Sequence, residues 1–290
     1  MSRLSNFILG PNPEPRYPLS PTTGWVFRIP VSGDEGDVTI SKFNETGNLL
    51  LFSTYLGGSN SNELPESLIT STNGDLYILG ITGSSNFAMA GDSYDNSFGG
   101  GTQFSASGLL FPGSDIFVAK FNATGTALMA STYIGGTAND GVNISNLSYN
   151  YGDQFRGEII LDGLENVYVA SHSQSSNFPV SNGSNLQGTQ DAVVFQMNSD
   201  FTSLVWSGFY GGTANESGNS LAINNLGELF VAGGTSSSDF VLVGNDPVYG
   251  GDRDGYLMKL NSNDGTVLSG TYMGDNEYDQ TYFVQLDIDD

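Results

Sequence analysis

The chain has 290 residues, 31 acidic and 8 basic, for a formal charge of −23 set by scarce Lys and Arg more than by abundant acids. That deficit argues against a nucleic-acid or anionic-membrane partner, each of which needs a basic patch. Without cysteine there are no disulfides, no thiolate chemistry and no Cys-ligated zinc or iron–sulfur centre, and the single histidine, His172, excludes every motif that needs two.

An apolar share of 38%, with 18 Phe and 14 Tyr, is enough to fill a core. No apolar run reaches the roughly 18 residues of a membrane-spanning helix. The stretch from Met1 to Gly10 is too short for a signal peptide. Composition points to a soluble, acidic, all-β protein with no membrane insertion.

Taken in chain order, the elements repeat. A first strand is expected over Asn6–Gly10, with Phe7 and Tyr17 opening an aromatic spacing of ten that recurs as Tyr77 with Phe87, Tyr168 with Phe178 and Phe230 with Phe240. A second motif runs Asp37-Val-Thr-Ile-Ser-Lys-Phe-Asn44 and returns as Asp115–Asn122, Asp191–Asn198 and Asp254–Asn261. Each copy leads through a tight turn into a third motif, Ser53-Thr-Tyr-Leu-Gly-Gly58, Ser131–Gly136, Ser207–Gly212 and the degenerate Thr271-Tyr-Met-Gly-Asp275. Three motifs in fixed order, four times over, define repeats near 1–73, 74–164, 165–226 and 227–290 in one array.

Each unit reads as four short strands, A to D. In the last full unit these are Ser220–Asn224, Glu228–Gly233, Gly255–Leu260 and Thr266–Tyr272, rich in β-branched and aromatic residues and bounded by Asn, Asp and Gly. The A–B link (Asn73-Gly74, Leu226-Gly227) and the C–D link (Ala123–Gly125, Asn263–Gly265) are tight turns whose glycines suit positive φ. Strand interiors such as Leu76–Leu79 are apolar on both faces, so cover on both sides is required. A four-stranded antiparallel meander sandwiched between copies of itself describes the blade of a β-propeller. A last A strand is expected over Tyr282–Asp289. It either belongs to an arc of a larger propeller, the favoured reading, or pairs with the opening strands to close a four-bladed ring.

These motifs, with the Ser-Ser-Asn-Phe-Pro type turn, resemble the bacterial seven-bladed β-propeller repeat family over essentially the whole chain. The resemblance implies a secreted or cell-surface bacterial protein of mosaic, adhesion-type build, with other domains in a larger parent chain and an export signal outside this segment. It implies no shared catalytic residue. Asp275 departs from the pattern, standing where the other copies have a second glycine, which puts that turn's geometry in question.

All length variation falls in the B–C and D–A connections, which share one edge of a meander. The long B–C loop Ala88–Gly113 and the D–A connection Thr137–Phe155 are therefore expected to project from one loop-rich face, where function is most readily carried. The candidate ligand-binding residues are Tyr94, Phe98, Asn139, Asp140, Tyr149, Tyr151, Asp153, Asn215 and Glu216. Aromatic tips would stack on sugar rings and the amides and carboxylates would bond hydroxyls. The same oxygens suit Ca²⁺, but no EF-hand spacing frames them, so no cofactor is assigned, and capping of turns is the favoured role of the Asn-Asp, Asn-Glu pairs after each Gly-Gly, including Asn276-Glu277. His172 is expected in a loop facing solvent, and the recurring Lys42, Lys120 and Lys259 at strand edges.

The expected function is a non-catalytic extracellular module, a scaffold or a binder of a glycan or surface protein, with a cation or a neutral glycan favoured over an anionic one by charge. The rival is a carbohydrate-active hydrolase or lyase using carboxylates on the loop-rich face. Two acids from different blades meeting within about 5–10 Å in a cleft would favour it.

Overall fold

The computed structural model describes residues 25–28, 36–150, 152–182, 184–240, 243 and 248–287. Within these, the one helical element is the short 3-10 turn Asp153–Phe155. The opening sheet holds β1 (Trp25–Arg28), β2 (Val38–Phe43) and β3 (Leu50–Leu56). Three four-stranded antiparallel meanders follow. The first is β4 (Glu63–Thr70), β5 (Leu76–Thr82), β8 (Asp115–Phe121) and β9 (Leu128–Ile134), with a hairpin of β6 (Phe104–Ala106) and β7 (Leu109–Phe111) inside its B–C connection. The second is β10 (Glu158–Leu161), β11 (Val167–Ser173), β12 (Asp191–Met197) and β13 (Leu204–Tyr210). The third is β14 (Glu216–Ile223), β15 (Glu228–Thr235), β16 (Asp254–Asn261) and β17 (Val267–Met273).

Every residue of β5, β11 and β12 is buried, which a strand covered on both faces requires. Successive sheets supply that cover. Tyr77 and Leu79 of the first full sheet share a core with Val167 and Val169 of the second. Tyr168 and Ala170, on the other face of the second, pack with Leu229 and Val231 of the third. The opening sheet lays Val38 and Ile40 against Ile78 and Phe117.

The first strands of the sheets are neighbours, linked by one repeated hydrogen bond. The Ile159 N–H of β10 donates to Ser67 Oγ of β4 (3.4 Å), and the Leu221 N–H of β14 donates to Glu158 of β10 (3.0 Å). The Val284 N–H donates to Ser220 Oγ of β14 (3.1 Å). Residues 281–287 thus take the place of a further A strand beside β14, but they carry no strand pairing, in contrast to the strand expected over Tyr282–Asp289. Among the described residues they make no ladder with the opening sheet.

Residues 6–10, with Phe7, and Tyr17 lie outside the described residues. The strand that pairs with β2 is β1, in a register that sets Trp25 opposite Lys42 as Tyr77 is set opposite Lys120 and Phe230 opposite Lys259. Trp25 escapes the aromatic spacing because Glu35 stands ten positions on.

Each C–D pair carries a bulge at the same place, after Lys42, Lys120, Gln196 and Lys259. The Asn that follows closes the turn, with Asn122 Oδ1 accepting the Thr126 and Ala127 N–H groups and Asn44 Oδ1 accepting those of Asn48 and Leu49. The free edge of each fourth strand is covered by the B–C connection of its own sheet. The Ser131 and Tyr133 N–H groups donate to Ala90 and Asp95 carbonyls, both at 3.0 Å, and Gly270 donates to Val243 (2.7 Å). Covering an edge in this way removes a template for unwanted strand pairing.

Gly188, just ahead of β12, sits so close to the Ala214 carbonyl that an added Cβ would overlap it. Because the obstacle is backbone, Gly188→Ala is expected to lose about 3 kcal/mol of stability, measured as a lower midpoint in urea unfolding; an unchanged midpoint would mean the two connections are not in contact.

Candidate functional site

The repeat motifs meet at the junctions between sheets. The first glycine of each Gly-Gly pair lies between two carboxyls, one from the start of strand C and one from the start of the next strand A. A Cβ on Gly135 would lie 2.8 Å from both Asp115 Cγ and Asp140 Oδ2, and one on Gly211 would lie 2.5 Å from Asp191 Cγ and Glu216 Oε2. Gly57 is flanked in the same way by Asp37 and Glu63, and Gly274 by Asp254 and Asp279.

Donors surround these acids. Asp140 accepts the Gly136 N–H (2.7 Å) and the hydroxyls of Ser175 (2.8 Å) and Ser173. Glu216 accepts the Gly212 N–H (2.9 Å) and Thr235 Oγ1 (2.6 Å). Asp115 takes the N–H groups of Gly99 (2.7 Å) and Gly100 (3.2 Å), and Asp191 those of Gln187 (2.7 Å) and Gly188 (3.1 Å). The Ser-Ser-Asn turn closes the junction from above, where Asn177 Oδ1 accepts the Thr137 N–H (2.9 Å) and Ser175 Oγ accepts that of Ala138 (2.9 Å).

The degenerate copy keeps this geometry. The Asp275 N–H donates to Asp279 (2.9 Å) as Gly136 does to Asp140. The repeat position is therefore held by Asp279, not by Glu277. Gly58, Gly136 and Gly212 each need to be glycine because Ser84, Ser175 and Ser237 of the following sheet lie against them. Among the described residues no such sheet follows Asp275.

Several expected ligand residues are consequently not on a surface. Asn139, Asp140 and Glu216 are buried; the two carboxyls belong to the junction, while Asn139 donates to Thr102 of the B–C loop (3.1 Å). Phe98 is half-buried against Tyr133, with ring centroids 6.0 Å apart. Tyr94 stays exposed, but on the outer edge: its N–H donates to Phe201 in the C–D turn of the second full sheet (2.8 Å), so the insertion after Phe87 first runs along β9. The rest of that insertion is the β6–β7 hairpin, whose stacked Phe104 and Phe111 cover Leu64, Ile81 and Val142. A long connection lies on whatever apolar edge it can cover, which is why it does not simply project. Tyr151 lies outside the described residues.

The second insertion does build an exposed surface. Tyr149 is 70% exposed and packs on Tyr278, with ring centroids 4.6 Å apart and the planes tilted by 34°. Asp153, itself buried, holds both: one carboxylate oxygen, Oδ2, accepts the N–H groups of Tyr149 (3.2 Å) and Asn150 (2.5 Å) and the Tyr278 hydroxyl (3.3 Å). Asn150 Nδ2 donates to the Tyr282 hydroxyl (2.9 Å), and the Arg156 guanidinium lies 4.4 Å from the Tyr282 ring centre and 5.6 Å from that of Phe283, which is 69% exposed. Asn215 stands at the margin, donating to Asn146 (3.1 Å). The contributions of Tyr278, Tyr282, Phe283 and Arg156 were hidden in the sequence, since Arg156 and 278–283 belong to A-strand positions and not to a loop insertion.

His172 is not in a solvent-facing loop. It lies within β11, fully buried, and neither ring nitrogen has a hydrogen-bond partner. Burial lowers its pKa to about 3, so it is a neutral packing residue. Glu66 of β4 is also buried with both carboxyl oxygens unbonded, and burial raises its pKa well above the usual range. Lys120 pairs with Asp75 (3.6 Å) and Glu165 (3.5 Å) over the Tyr77 ring, and Lys259 with Glu228 (2.8 Å). Among the described residues no group of three or more acidic or His side chains is placed to hold a metal ion.

No protein-family model matches the chain, and no curated protein does. A solved structure similar to it is a quinohemoprotein alcohol dehydrogenase from Pseudomonas putida HK5, at a TM-score of 0.33 and 10% identity, covering 86% of this chain and 51% of that one. The chain thus spans about half the length of that protein.

Burial pushes the carboxyls of Glu63, Asp115, Asp140 and Glu216 up to about 7, and that of Asp191 to about 6. Folded values above unfolded ones mean that the native state holds extra protons, so this stabilisation is complete below the unfolded values and is lost as pH rises through 6 to 7. The thermal midpoint is therefore expected to be higher near about pH 5 than near about pH 8. Calorimetry across that range checks it, with Asp140→Asn flattening the profile. A midpoint that climbs toward alkaline pH would show the junction acids to be ionised in the native state.

Proposed function

We propose that the chain is a β-propeller repeat array serving as a non-catalytic, extracellular module of a larger bacterial surface protein, and that its loop-rich face binds a neutral glycan. The propeller reading is supported by three meanders stacked face to face with their first strands adjacent in order. Location and parentage rest on the repeat resemblance alone. The observation that carries the binding reading is the exposed Tyr149–Tyr278 pair held by a buried carboxylate. An aromatic platform with a few fixed polar groups is the usual build of a saccharide or small-ligand surface.

The hydrolase reading draws no support from the paired acids. Asp115 with Asp140, and Asp191 with Glu216, come from different sheets and meet closely, but they are buried, bonded to backbone N–H groups and separated by a glycine. A glycosidase needs such a pair open to substrate.

A glycan array followed by titration calorimetry tests the proposal. Tyr149→Ala is expected to weaken binding about tenfold, the loss of roughly one aromatic stacking contact, whereas Asn73→Ala in a tight turn on the opposite edge leaves it unchanged. Binding that survives Tyr149→Ala and fails with Asn73→Ala would assign the wrong edge.

A further inference from the structure

The outer edge of β3 differs from the corresponding edges of the three full sheets. In those sheets a connection covers the main chain of the fourth strand. Ser131 and Tyr133 donate to Ala90 and Asp95, the Ser207 N–H donates to Ser181 Oγ (2.9 Å), and Gly270 donates to Val243. Ser131, Tyr133, Ser207 and Phe209 are buried as a result. Ser53 and Tyr55 hold the same repeat positions in β3. Both are exposed, Tyr55 by 65%, and among the described residues nothing bonds their N–H groups. The connection between β1 and β2, residues 29–37, is about half as long as the shortest of the covering connections, 174–190. The run from Leu49 to Leu56 carries no charge and no proline, the usual guards of an open strand edge.

We propose that this edge pairs with β3 of a second copy of the chain, antiparallel about a twofold axis at Ser53. Alternate residues of an antiparallel strand turn their main-chain groups to opposite sides. Leu51, Ser53 and Tyr55 therefore share the outward side, as Ser131 and Tyr133 do in β9. With Ser53 opposite Ser53, Leu51 of each copy falls opposite Tyr55 of the other, and each of these pairs exchanges both its main-chain bonds. The leucine and tyrosine side chains lie on one face of the joined sheet and pack across the strands, since both are exposed in the single chain. A second copy suits the edge because the strand is self-complementary: apolar meets apolar, and no charge is left without a partner. A patch of that kind is what a twofold interface requires. The rest of the surface, at −23 per copy, repels. Pairing is therefore expected to tighten as salt screens that charge.

The test is sedimentation of the full chain over a concentration series at low and high salt. Seven residues a side make a small interface. Interfaces of that size belong to weak and transient complexes, so dimers are expected at concentrations on the order of 10–100 µM. Tyr55→Lys and, separately, Ser53→Pro are each expected to weaken the dimer at least about tenfold. Neither is expected to lower the thermal midpoint, because an edge tolerates proline where the lost N–H faces outward. Val205→Lys, at an exposed site on a covered strand, is expected to leave the dimer unchanged. Hydrogen exchange on the unaltered protein gives a second reading that survives misfolding of a variant: the Ser53 amide is expected to exchange more slowly as concentration rises. A chain that stays monomeric up to about 1 mM overturns the proposal, including the case in which residues 1–24 of the same chain cover the edge. A dimer that survives both substitutions, or one that salt weakens, overturns it as well.

Discussion

The fold depends on carboxyls buried at the junctions between sheets. A β-meander is apolar on both faces and cannot be stable alone, but apolar faces slide, and a stack of them has no unique register. The Asp or Glu that starts each A strand removes that freedom. Asp140 binds the end of the preceding sheet through Gly136 and its own sheet through Ser173 and Ser175, so one side chain fixes two sheets at once. Leaving any of those donors or acceptors unbonded in the interior would cost about 1–3 kcal/mol. The second carboxyl, from strand C, ties down the incoming B–C connection, as Asp191 does through Gln187 and Gly188. Glycine is required between the two acids because nothing larger fits.

This explains why so much of the architecture is legible in the sequence. The three motifs recur in fixed order because each is a part of the same junction, and losing one part strands the others. The strands of the third full sheet lie within a few residues of their expected positions, and the tight turns fall where Gly74 and Gly227 supply positive φ. The opening is less legible: residues 6–10 lie outside the described residues, and Trp25, which pairs with Lys42, lacks the second aromatic ten positions on.

The site was far less legible, for a related reason. Asn139-Asp140 and Asn215-Glu216 follow a glycine pair, have the composition of a surface loop and carry oxygen ligands, yet Asp140 and Glu216 are fully buried. Polarity in a short motif does not distinguish an acid facing water from one enclosed by N–H donors. His172 differs in the opposite direction: it is expected in a loop just past the strand, whereas β11 runs on to Ser173 and is buried along its whole length. The aromatic surface was half visible. Tyr149 announced itself in an insertion, but its partner Tyr278 lies 129 positions away, in a segment that the repeat assigns to a scaffold strand.

Asp153 joins the two halves of this account. Its carboxylate accepts the N–H groups three and four residues back, Asn150 and Tyr149, just as Asp191 accepts those of Gly188 and Gln187. The insertion is thus fastened by the same local device as the scaffold connections. Not every such acid is fully met: both oxygens of Asp140 and Glu216 accept donors, whereas Glu63 Oε2 and Asp254 Oδ1 at other junctions are buried without a partner, as Asp153 Oδ1 is. In the insertion Arg156 stops 4.0 Å short of that oxygen. The device therefore holds a connection through one carboxyl oxygen, as Asp153 holds Tyr149 and Asn150 and Asp254 holds Gly250, and the second oxygen can go unbonded without loss of the fastening.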